Sequence, residues 1–544
     1  MKWSKKAVLK KSRMALRSLN NYQRGLFAVF ALWGGYFIWL WVNVFRNDSK
    51  GDIVSGHSLL WADWASHLSY ASVFAYRAPH DWFLAHPLFA GAKFTYPFLP
   101  DALSGLLMRT GVGVVPSFIV PSIFMTIIML YVLYRFAYHF TGRVKSAVVA
   151  LSLFLLSGGL GFLYYLSEYG VTHEWYTHMP EHGIYFINFV VGEMLPQRNF
   201  LFGLPIALSI ILILERMVAK KASVYQAVCA GLLAGILTII HPHSLIVVVI
   251  VSAVYLLRYR RQYGLFLWYA LVAEIGIGAY WYFLLLNSGS GSLPHWQLGW
   301  MSAGHNLLGF ELLNFGILLP LGVYSAWRQK WLSHPLFISA LGIFTVCHFV
   351  SFQVWEWDNT KLFTYSYLFL LIPIVMQLLA WWDQRRRYEE KVLTVVCVVL
   401  LGGSGLLDIV HMSQFDTHTY TLVQATDYQA VAHFRSIAPS GAIIIDSQKS
   451  DQPYTMLSNT QALMAYDGWL WSYGIDYTQV RQDIGEIVSG SDNAKKLLAY
   501  YRVSYIVVDD ELRRAYQVND HFLAQFPVVQ STRGTIVYQV TRSK

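Results

Sequence analysis

Long apolar runs recur through most of the sequence, and they restrict the fold more than any other feature. Between residues 25 and 411, runs of roughly 17–25 apolar residues alternate with short polar segments, and a helix of about 20 such residues crosses a bilayer. Charged residues make up only 13% of the 544 residues, about half the share in a typical soluble protein. The chain is therefore predicted to be a polytopic α-helical membrane protein.

The charge of the connecting loops predicts the direction of the spans. We predict eleven transmembrane helices, near residues 25–45, 116–138, 146–166, 199–215, 224–240, 244–258, 264–286, 308–327, 335–354, 362–380 and 392–411. With the amino terminus in the cytoplasm, every cytoplasmic loop is basic and every opposite loop is poor in Lys and Arg, as the positive-inside rule requires. The sequence leaves open whether the runs around residues 241–243 are two spans or one broken helix.

This topology divides the chain into three parts. Residues 1–24 form a basic cytoplasmic tail, residues 25–411 form the transmembrane domain, and residues 412–544 form an exterior domain. The large first exterior loop covers residues 46–115. Charged and polar residues return after residue 412, where no further spanning run occurs.

The net charge of +10 does not indicate a nucleic-acid partner. Eight Lys and Arg residues lie in the first 24, and others cluster in short loops, a pattern typical of a topology signal and of attraction to anionic lipid. The three cysteines, Cys229, Cys347 and Cys397, lie inside apolar runs, with neither a disulfide framework nor metal-site spacing. We expect membrane lipid, not nucleic acid, as a partner.

The first exterior loop contains "WADWASHLSYASVFAYR", residues 61–77. A helix over this stretch would have an apolar face and a polar face, and we expect it to lie on the outer leaflet with its polar side toward a cavity. Asp63 and His67 on the polar face are one turn apart and can touch. The carboxylate could accept a proton from a hydroxyl or hold a metal, and the imidazole could orient it. The simpler alternative is a helix-stabilising pair, and Asp52 and Asp101 are further acid candidates.

The second exterior loop, residues 167–198, is rich in His and Glu but fits no recognised zinc pattern. These residues are His173, Glu174, His178, Glu181, His182 and Glu193. A divalent metal therefore remains an open question. The loop ends in "LPQRNF", where Gln197 and Arg198 stand at the start of a span. A guanidinium group there suits a phosphate, although an ordinary interfacial arginine would explain it equally well.

Two more polar groups interrupt the apolar sequence. "TIIHPHSLIV" places His241 and His243 in what we interpret as a cavity wall. "QVWEWDNTKLFTYSYL" places Asp358, Asn359 and Lys361 at the exterior end of a span, where Lys361 can neutralise a phosphate. An Asp–Lys pair that caps the span is the alternative. Carboxylate, cations and aromatic rings on one side of a helical bundle fit glycosyl transfer from a polyprenyl-phosphate donor.

The sequence after residue 420 alternates strand and helix patterns. "GAIIID", "VSYIVVD", "FPVVQST" and "TIVYQV" read as strands, and the stretches between them read as helices, so we predict a small soluble α/β domain. The segment "YDGWLWSYG" contains Trp469 and Trp471. Its aromatic and glycine content predicts a loop that folds back toward the membrane cavity and contacts sugar.

The segments "WADWASH", "LPQRNFLFGLPIAL" and "WDNTKLF", with the architecture of the whole chain, resemble the GT-C superfamily of integral-membrane glycosyltransferases in an uncharacterised bacterial branch. The resemblance implies a bacterial plasma-membrane enzyme in which Asp63 is the catalytic acid/base, with His67 beside it. It also implies that Arg198 and Lys361, with Gln197, bind the donor phosphate. The chain has a single acid where many members have an Asp-x-Asp or Asp-Glu pair, so a metal requirement stays open.

Three functions are consistent with these patterns. The first is a glycosyltransferase that uses a polyprenyl-phosphate sugar donor, the second a transporter or flippase of lipid-linked sugars, and the third a GT-C-like envelope assembly protein without catalysis. A transporter should show internal repeats and polar groups at mid-membrane, and the sequence has no clear repeat. The sugar, the acceptor (lipid, glycan or protein) and the oligomeric state are not determined by the sequence.

Overall fold

The computed structural model describes residues 20–57, 60–167, 177–260, 263–286, 288, 294–384, 387–415, 419–532 and 534–540. Up to residue 412 the described chain is mainly helical. Its helices are α1 (Asn20–Val44), α2 (Trp61–Tyr76), α3 (Leu99–Arg109), α4 (Val114–Thr141), α5 (Val144–Leu155), α6 (Gly161–Ser167), α7 (Arg198–Val218), α8 (Val224–Ile239), α9 (Pro242–Arg258), α10 (Tyr263–Leu285), α11 (Leu307–Phe315), α12 (Leu318–Arg328), α13 (Pro335–Phe349), α14 (Glu356–Trp382) and α15 (Tyr388–Met412).

Six of these described helices are long and apolar enough to cross a membrane, and the bent pair α11–α12 raises the number to seven. The apolar helices α5, α8, α9 and α13 are shorter, at 10–17 residues. The protein is therefore an integral membrane protein. Helices or pairs of helices lie at all eleven predicted positions, but the full count of eleven spans remains a prediction.

Two predicted spans are not single helices. The predicted span 308–327 is divided into α11 and α12, which meet at an angle of 76°. The break lies at Gly316, whose φ of +57° is a conformation that other residues rarely adopt. The predicted span 146–166 is α5 followed by the separate α6, because the pair Gly158–Gly159 does not continue the helix. A Cβ atom on Gly159 would lie only 2.2 Å from the carbonyl oxygen of Leu313, so this close approach requires glycine.

The runs around residues 241–243 form two separate helices, α8 and α9. The chain leaves α7 at Val218 and starts α8 at Val224, so α8 begins at the end of α7. The ring of His241, at the other end of α8, stacks on Phe200 near the start of α7 with centroids 4.5 Å apart. Helix α9 then returns, and Tyr255 near its end donates a hydrogen bond to Glu215 near the end of α7. Helix α8 therefore runs antiparallel to α7, and α9 runs parallel to α7.

Helix α14 is the centre of the membrane bundle. Of the most apolar stretch of α14, 89% is buried inside the protein, and the corresponding share for the peripheral α10 is 17%. It packs against α5, α9, α12, α13 and α15. Because its neighbours cover it on all sides, α14 is apolar around its circumference rather than on one stripe.

The strands of the described residues form three sheets. They are β1 (Phe45–Asn47), β2 (Ile53–Ser55), β3 (His295–Trp296), β4 (Val350–Ser351), β5 (Tyr420–Val423), β6 (Ile443–Ile445), β7 (Gln461–Ala462), β8 (Val503–Val508), β9 (Val528–Thr532) and β10 (Thr535–Gln539). The largest sheet has the order β7-β6-β8-β10-β9 and includes all four strands predicted after residue 420. Strand β5 instead joins β1 and β2, so the sequence after residue 412 is tied to the first long loop.

Seven described helices accompany these strands in the carboxy-terminal part. They are α16 (Ala425–Ile437), α17 (Pro453–Leu457), α18 (Asp467–Ser472), α19 (Thr478–Ser489), α20 (Ala494–Tyr500), α21 (Asp510–Ala515) and α22 (Asp520–Leu523). Strands β7, β6 and β8 are parallel, and β10 and β9 are antiparallel to their neighbours. The domain limits at residues 24 and 412 remain predictions.

Helix α2 is buried on both faces, so the prediction of a helix lying on the outer leaflet is wrong. Trp64 on the side expected to contact lipid is fully buried, and its ring packs against Phe45 and Phe118. On the opposite side, the buried Tyr70 donates a hydrogen bond of 2.8 Å to the hydroxyl of Tyr473 in the carboxy-terminal part. A helical wheel indicates which residues share a face, but it does not indicate that the carboxy-terminal part covers the polar one.

Candidate active site

A cavity of about 700 Å³ lies where the amino-terminal ends of α2, α7, α9 and α14 meet. Its wall includes eight of the eleven residues predicted from the sequence: Asp63, Gln197, His241, His243, Asp358, Lys361, Trp469 and Trp471. Each helix amino terminus carries unpaired backbone N–H groups and a partial positive charge. The cavity therefore favours an anionic ligand.

Helix α2 contributes the carboxylate of Asp63 to the cavity wall. It lies in the first turn of α2, where the helix dipole stabilises a negative charge, and it is partly exposed to the cavity. Burial raises the pKa of Asp63 above the ordinary carboxyl value, and the charges of His67 and Lys361 oppose that shift. A carboxylate with a raised pKa is a better proton acceptor than a solvated one.

Lys361 contributes a cation to the cavity wall. Its side chain is 6% exposed, and its Nζ donates a hydrogen bond to Oδ1 of Asp358 over 2.7 Å. An ammonium group has three N–H donors, so the pair with Asp358 leaves donors for a ligand in the cavity. The Asp–Lys pair predicted as a structural alternative is thus present, and it lies on the wall of the cavity rather than apart from it.

Glu193 is a buried acid close to these groups whose position the sequence did not reveal. It lies in a π-helical turn, Phe189–Met194, and its Oε1 accepts a hydrogen bond of 2.6 Å from the hydroxyl of Thr360. Burial raises the pKa of Glu193 to about 8, against the lowering effect of Lys361. Its other oxygen, Oε2, has no hydrogen-bond partner among the described residues. The sequence had indicated Glu193 only as one of the His and Glu residues of the second exterior loop that were considered for a metal.

Arg198 and His67 belong to a buried network outside the cavity wall. Asp101 accepts hydrogen bonds from both: its Oδ1 lies 3.1 Å from Nη1 of Arg198, and its Oδ2 lies 2.9 Å from Nδ1 of His67. Arg198 also donates to the hydroxyls of Ser104 and Ser122. All three charged or titratable groups are at most 1% exposed. The expected contact of His67 with Asp63 is replaced by Asp101, and the guanidinium of Arg198 is occupied by protein groups.

Asn359 and Asp52 also have partners away from the cavity. The side-chain amide of Asn359 donates to the carbonyl oxygens of Cys347 and Val350 at 2.9 and 2.8 Å, which holds the end of α13 against α14. Oδ1 of Asp52 accepts a hydrogen bond of 2.7 Å from the backbone N–H of Ala425 at the start of α16. Neither residue lines the cavity.

We expect the Asp101 network to be a determinant of stability. Replacing Asp101 with Ala leaves the guanidinium of Arg198 buried without a counterion, and the free energy of unfolding should fall by about 3–5 kcal/mol. Thermal unfolding of the purified protein in detergent measures this change. The double variant Asp101→Leu/Arg198→Met removes both charges at similar volume and should recover most of the loss. An unchanged unfolding temperature for Asp101→Ala would contradict this role.

Aromatic side chains form the rest of the cavity wall. Trp469 and Trp471 come from α18, so the predicted aromatic segment is a short helix rather than a loop. Tyr473 follows it, and its hydroxyl accepts a hydrogen bond of 2.8 Å from Tyr70 of α2. On the other side, Trp357 and its stacked neighbour Trp355 line the cavity. Flat apolar surfaces of this kind suit the faces of sugar rings.

Among the described residues, no group of three or more His, Cys, Asp or Glu side chains is placed to hold a metal ion. Two members of the second-loop set, His173 and Glu174, lie outside the described residues. Of the remaining members, His178 lines the cavity.

The spanning helices and the cavity at their ends define a helical membrane protein with a site between its membrane bundle and its carboxy-terminal part. No family model and no curated protein matches the sequence. The fold is similar to that of the arabinofuranosyltransferase AftD from Mycobacteria, with a TM-score of 0.54 and 11% identity over 96% of this chain and 42% of that one. It is also similar to the oligosaccharyltransferase of Archaeoglobus fulgidus carrying a tethered acceptor peptide, with a TM-score of 0.50 and 11% identity over 95% of this chain and 74% of that one.

The chain therefore has the GT-C fold, and the resemblance predicted from the sequence is confirmed at the level of the fold.

Proposed function

We propose that this protein is a glycosyltransferase that transfers a sugar from a polyprenyl-phosphate donor to an acceptor hydroxyl or amide group. The observation that carries the proposal is the placement of a carboxylate with a raised pKa, Asp63, and a buried cation, Lys361, on the wall of one cavity. One group suits proton abstraction and the other suits a leaving phosphate. The GT-C fold supports the same class of reaction.

In the proposed reaction Asp63 takes the proton of the acceptor group as its oxygen or nitrogen attacks the anomeric carbon. A new glycosidic bond forms, the bond between the anomeric carbon and the phosphate oxygen breaks, and its electron pair leaves with polyprenyl phosphate. Lys361 stabilises the charge that develops on the phosphate, since its ammonium group is held in place by Asp358 before the reaction. Gln197, at the amino terminus of α7, provides a further polar contact to the donor.

Trp469 and Trp471 would hold a sugar ring against the carboxy-terminal side of the cavity. We further propose that the amino terminus is cytoplasmic and that the cavity faces the exterior of a bacterial plasma membrane, as the basic loops predict. Nucleotide-linked sugars are not supplied on that face, and a lipid-linked donor that reaches the cavity from within the bilayer meets this requirement.

The direct test is a transfer assay with the purified protein in liposomes. Polyprenyl-phosphate sugars with a radiolabelled sugar are supplied together with an envelope extract as the source of acceptor. We expect labelled product and free polyprenyl phosphate in equal amounts. Labelled donor that moves intact to the other leaflet would instead indicate a transporter. A folded protein that neither cleaves nor moves any donor of the panel would favour the assembly protein.

A further inference from the structure

The link between α8 and α9 presents two histidines to the cavity. His241 and His243 are each 4% exposed, and both line the wall. Among the described residues, the Nε2 atom of each ring has no hydrogen-bond partner. A buried polar atom without a partner costs roughly 1–3 kcal/mol, so such an atom in a residue that lines a cavity indicates a ligand that pairs with it.

A chain of two short hydrogen bonds determines which nitrogen of His241 carries the proton. The hydroxyl oxygens of Tyr365 and Ser244 are 2.5 Å apart, and the Ser244 oxygen is 2.6 Å from Nδ1 of His241. Tyr365 is fully buried, and Ser244 is the one hydrogen-bond partner that its hydroxyl has among the described residues. If Tyr365 accepted this bond, its own O–H would be buried without an acceptor.

The lower-energy arrangement therefore has Tyr365 donating to Ser244 and Ser244 donating to Nδ1 of His241. In a neutral imidazole that accepts at Nδ1, the proton is on Nε2. Burial, and secondly the charge of Lys361, lower the pKa of His241, so the ring is neutral. The free Nε2 is thus an N–H donor.

The position of the His241 ring is also fixed. The ring is stacked on Phe200, with centroids 4.5 Å apart and planes inclined by 17°, and it lies 5.4 Å from the ring of His243. His241 is the residue immediately before α9, so the partial positive charge of the helix amino terminus lies beside it. Pro242 has no N–H group, and the N–H groups of Ser244 and Leu245 are bonded to the carbonyl oxygen of His241. Three groups that bind anions therefore line this part of the cavity. They are the N–H donor of His241, the amino terminus of α9 and the ammonium group of Lys361.

We propose that His241, through Nε2–H, and Lys361 form a phosphate subsite at the amino terminus of α9, and that Tyr365 and Ser244 are positioning residues that set the His241 tautomer. The proposal rests on the proposed function, because it assigns the phosphate of the lipid-linked donor to this subsite. It places the phosphate at α9 and α14, whereas the resemblance implied a site made of Arg198, Lys361 and Gln197.

The test compares variants of the full-length protein in lipid nanodiscs for binding of polyprenyl phosphate without a sugar. His241→Asn removes the donor at Nε2, whereas His241→Gln places an amide N–H near the same point. Tyr365→Phe keeps the aromatic ring and removes the hydroxyl group that donates the first hydrogen bond of the Tyr365–Ser244–His241 series. The matched control is Tyr269→Phe, because Tyr269 of α10 bonds to Ser252 over 3.0 Å through a similar Tyr–Ser pair. Neither residue of the control pair lines the cavity.

We expect His241→Asn and Tyr365→Phe to weaken binding of polyprenyl phosphate by about tenfold or more, since hydrogen bonds to charged groups have this size. His241→Gln and Tyr269→Phe should stay within about threefold of the unmodified protein. Binding of inorganic phosphate is measured in parallel to identify the natural source of the phosphate. Much tighter binding of the lipid assigns the subsite to the donor headgroup, and equal binding assigns it to free phosphate.

Thermal unfolding of each variant shows whether it is folded. If His241→Asn is not folded, the more conservative Tyr365→Phe variant still tests the subsite. Unchanged binding of both ligands by folded Tyr365→Phe and His241→Asn would overturn the subsite. The two proposals fail separately. If the unmodified protein transfers sugar and the His241→Asn variant still binds phosphate normally, only the subsite is refuted. If the variants lose phosphate binding as expected but the unmodified protein transfers no sugar, only the proposed glycosyltransferase function is refuted.

Discussion

Replacing Asp63 with Asn should lower kcat by about 10²–10⁴-fold, the usual contribution of a general base. Asn has the size of Asp but cannot accept the proton, so the shape of the cavity and donor binding should be retained. The measurement is the initial rate of sugar transfer with saturating donor. The control is Asp52→Asn, in which the side-chain oxygen can still cap α16 and which should keep its activity.

A second readout separates proton abstraction from a merely structural role of Asp63. Because burial raises the pKa of this carboxyl group, and because the base acts in its deprotonated form, the transfer rate should rise with pH. The midpoint of this rise should lie above the ordinary carboxyl value of about 4. The rise should be absent in Asp63→Asn. Full activity of a folded Asp63→Asn protein would exclude Asp63 from the mechanism.

The second large effect is expected at Lys361. Lys361→Met should reduce kcat/KM by about 10²–10³-fold, the loss that follows removal of one group stabilising a developing negative charge. Lys361→Arg keeps the charge and should retain part of the activity. Since Lys361 lowers the pKa of Asp63, any activity left in Lys361→Met should have its pH midpoint shifted upward.

Lys361→Met also leaves Asp358 without its partner, and the loss of a buried pair destabilises a protein by itself. The double variant Asp358→Asn/Lys361→Met removes both charges and serves as the control for folding. We expect it to be stable and inactive. If the double variant regained activity, Lys361 would serve to neutralise Asp358 rather than to stabilise the phosphate.

The positions of the elements could be predicted from the sequence, because they depend on local patterns. Apolar runs of spanning length predicted a helix at each position, and runs of β-branched residues predicted β6, β8, β9 and β10. Breaks such as Gly316 were missed, since a glycine in an apolar run is compatible with a continuous helix until its neighbours are known. The bend of α11 against α12 depends on that tertiary packing.

Part of the site could also be predicted from local sequence patterns. Asp63, Lys361, His241 and Trp469 interrupt apolar or structured segments, and a polar group in such a place indicates a cavity whatever the fold. The partners of these groups could not be predicted. Asp101 is 34 residues from His67 and 97 from Arg198, and a different arrangement of the helices would pair each of them differently.

The sequence by itself determined that this chain enters a membrane, where its helices and strands lie, and which residue types are available for chemistry. Hydrophobicity and backbone preferences act over a few residues, and they can be read without knowing the fold. Only the tertiary structure decided that Asp101 neutralises Arg198, that α2 is covered on both faces, and that His241 and Lys361 line the same cavity. These features depend on desolvation and on contacts between residues far apart in the chain, which no local pattern contains.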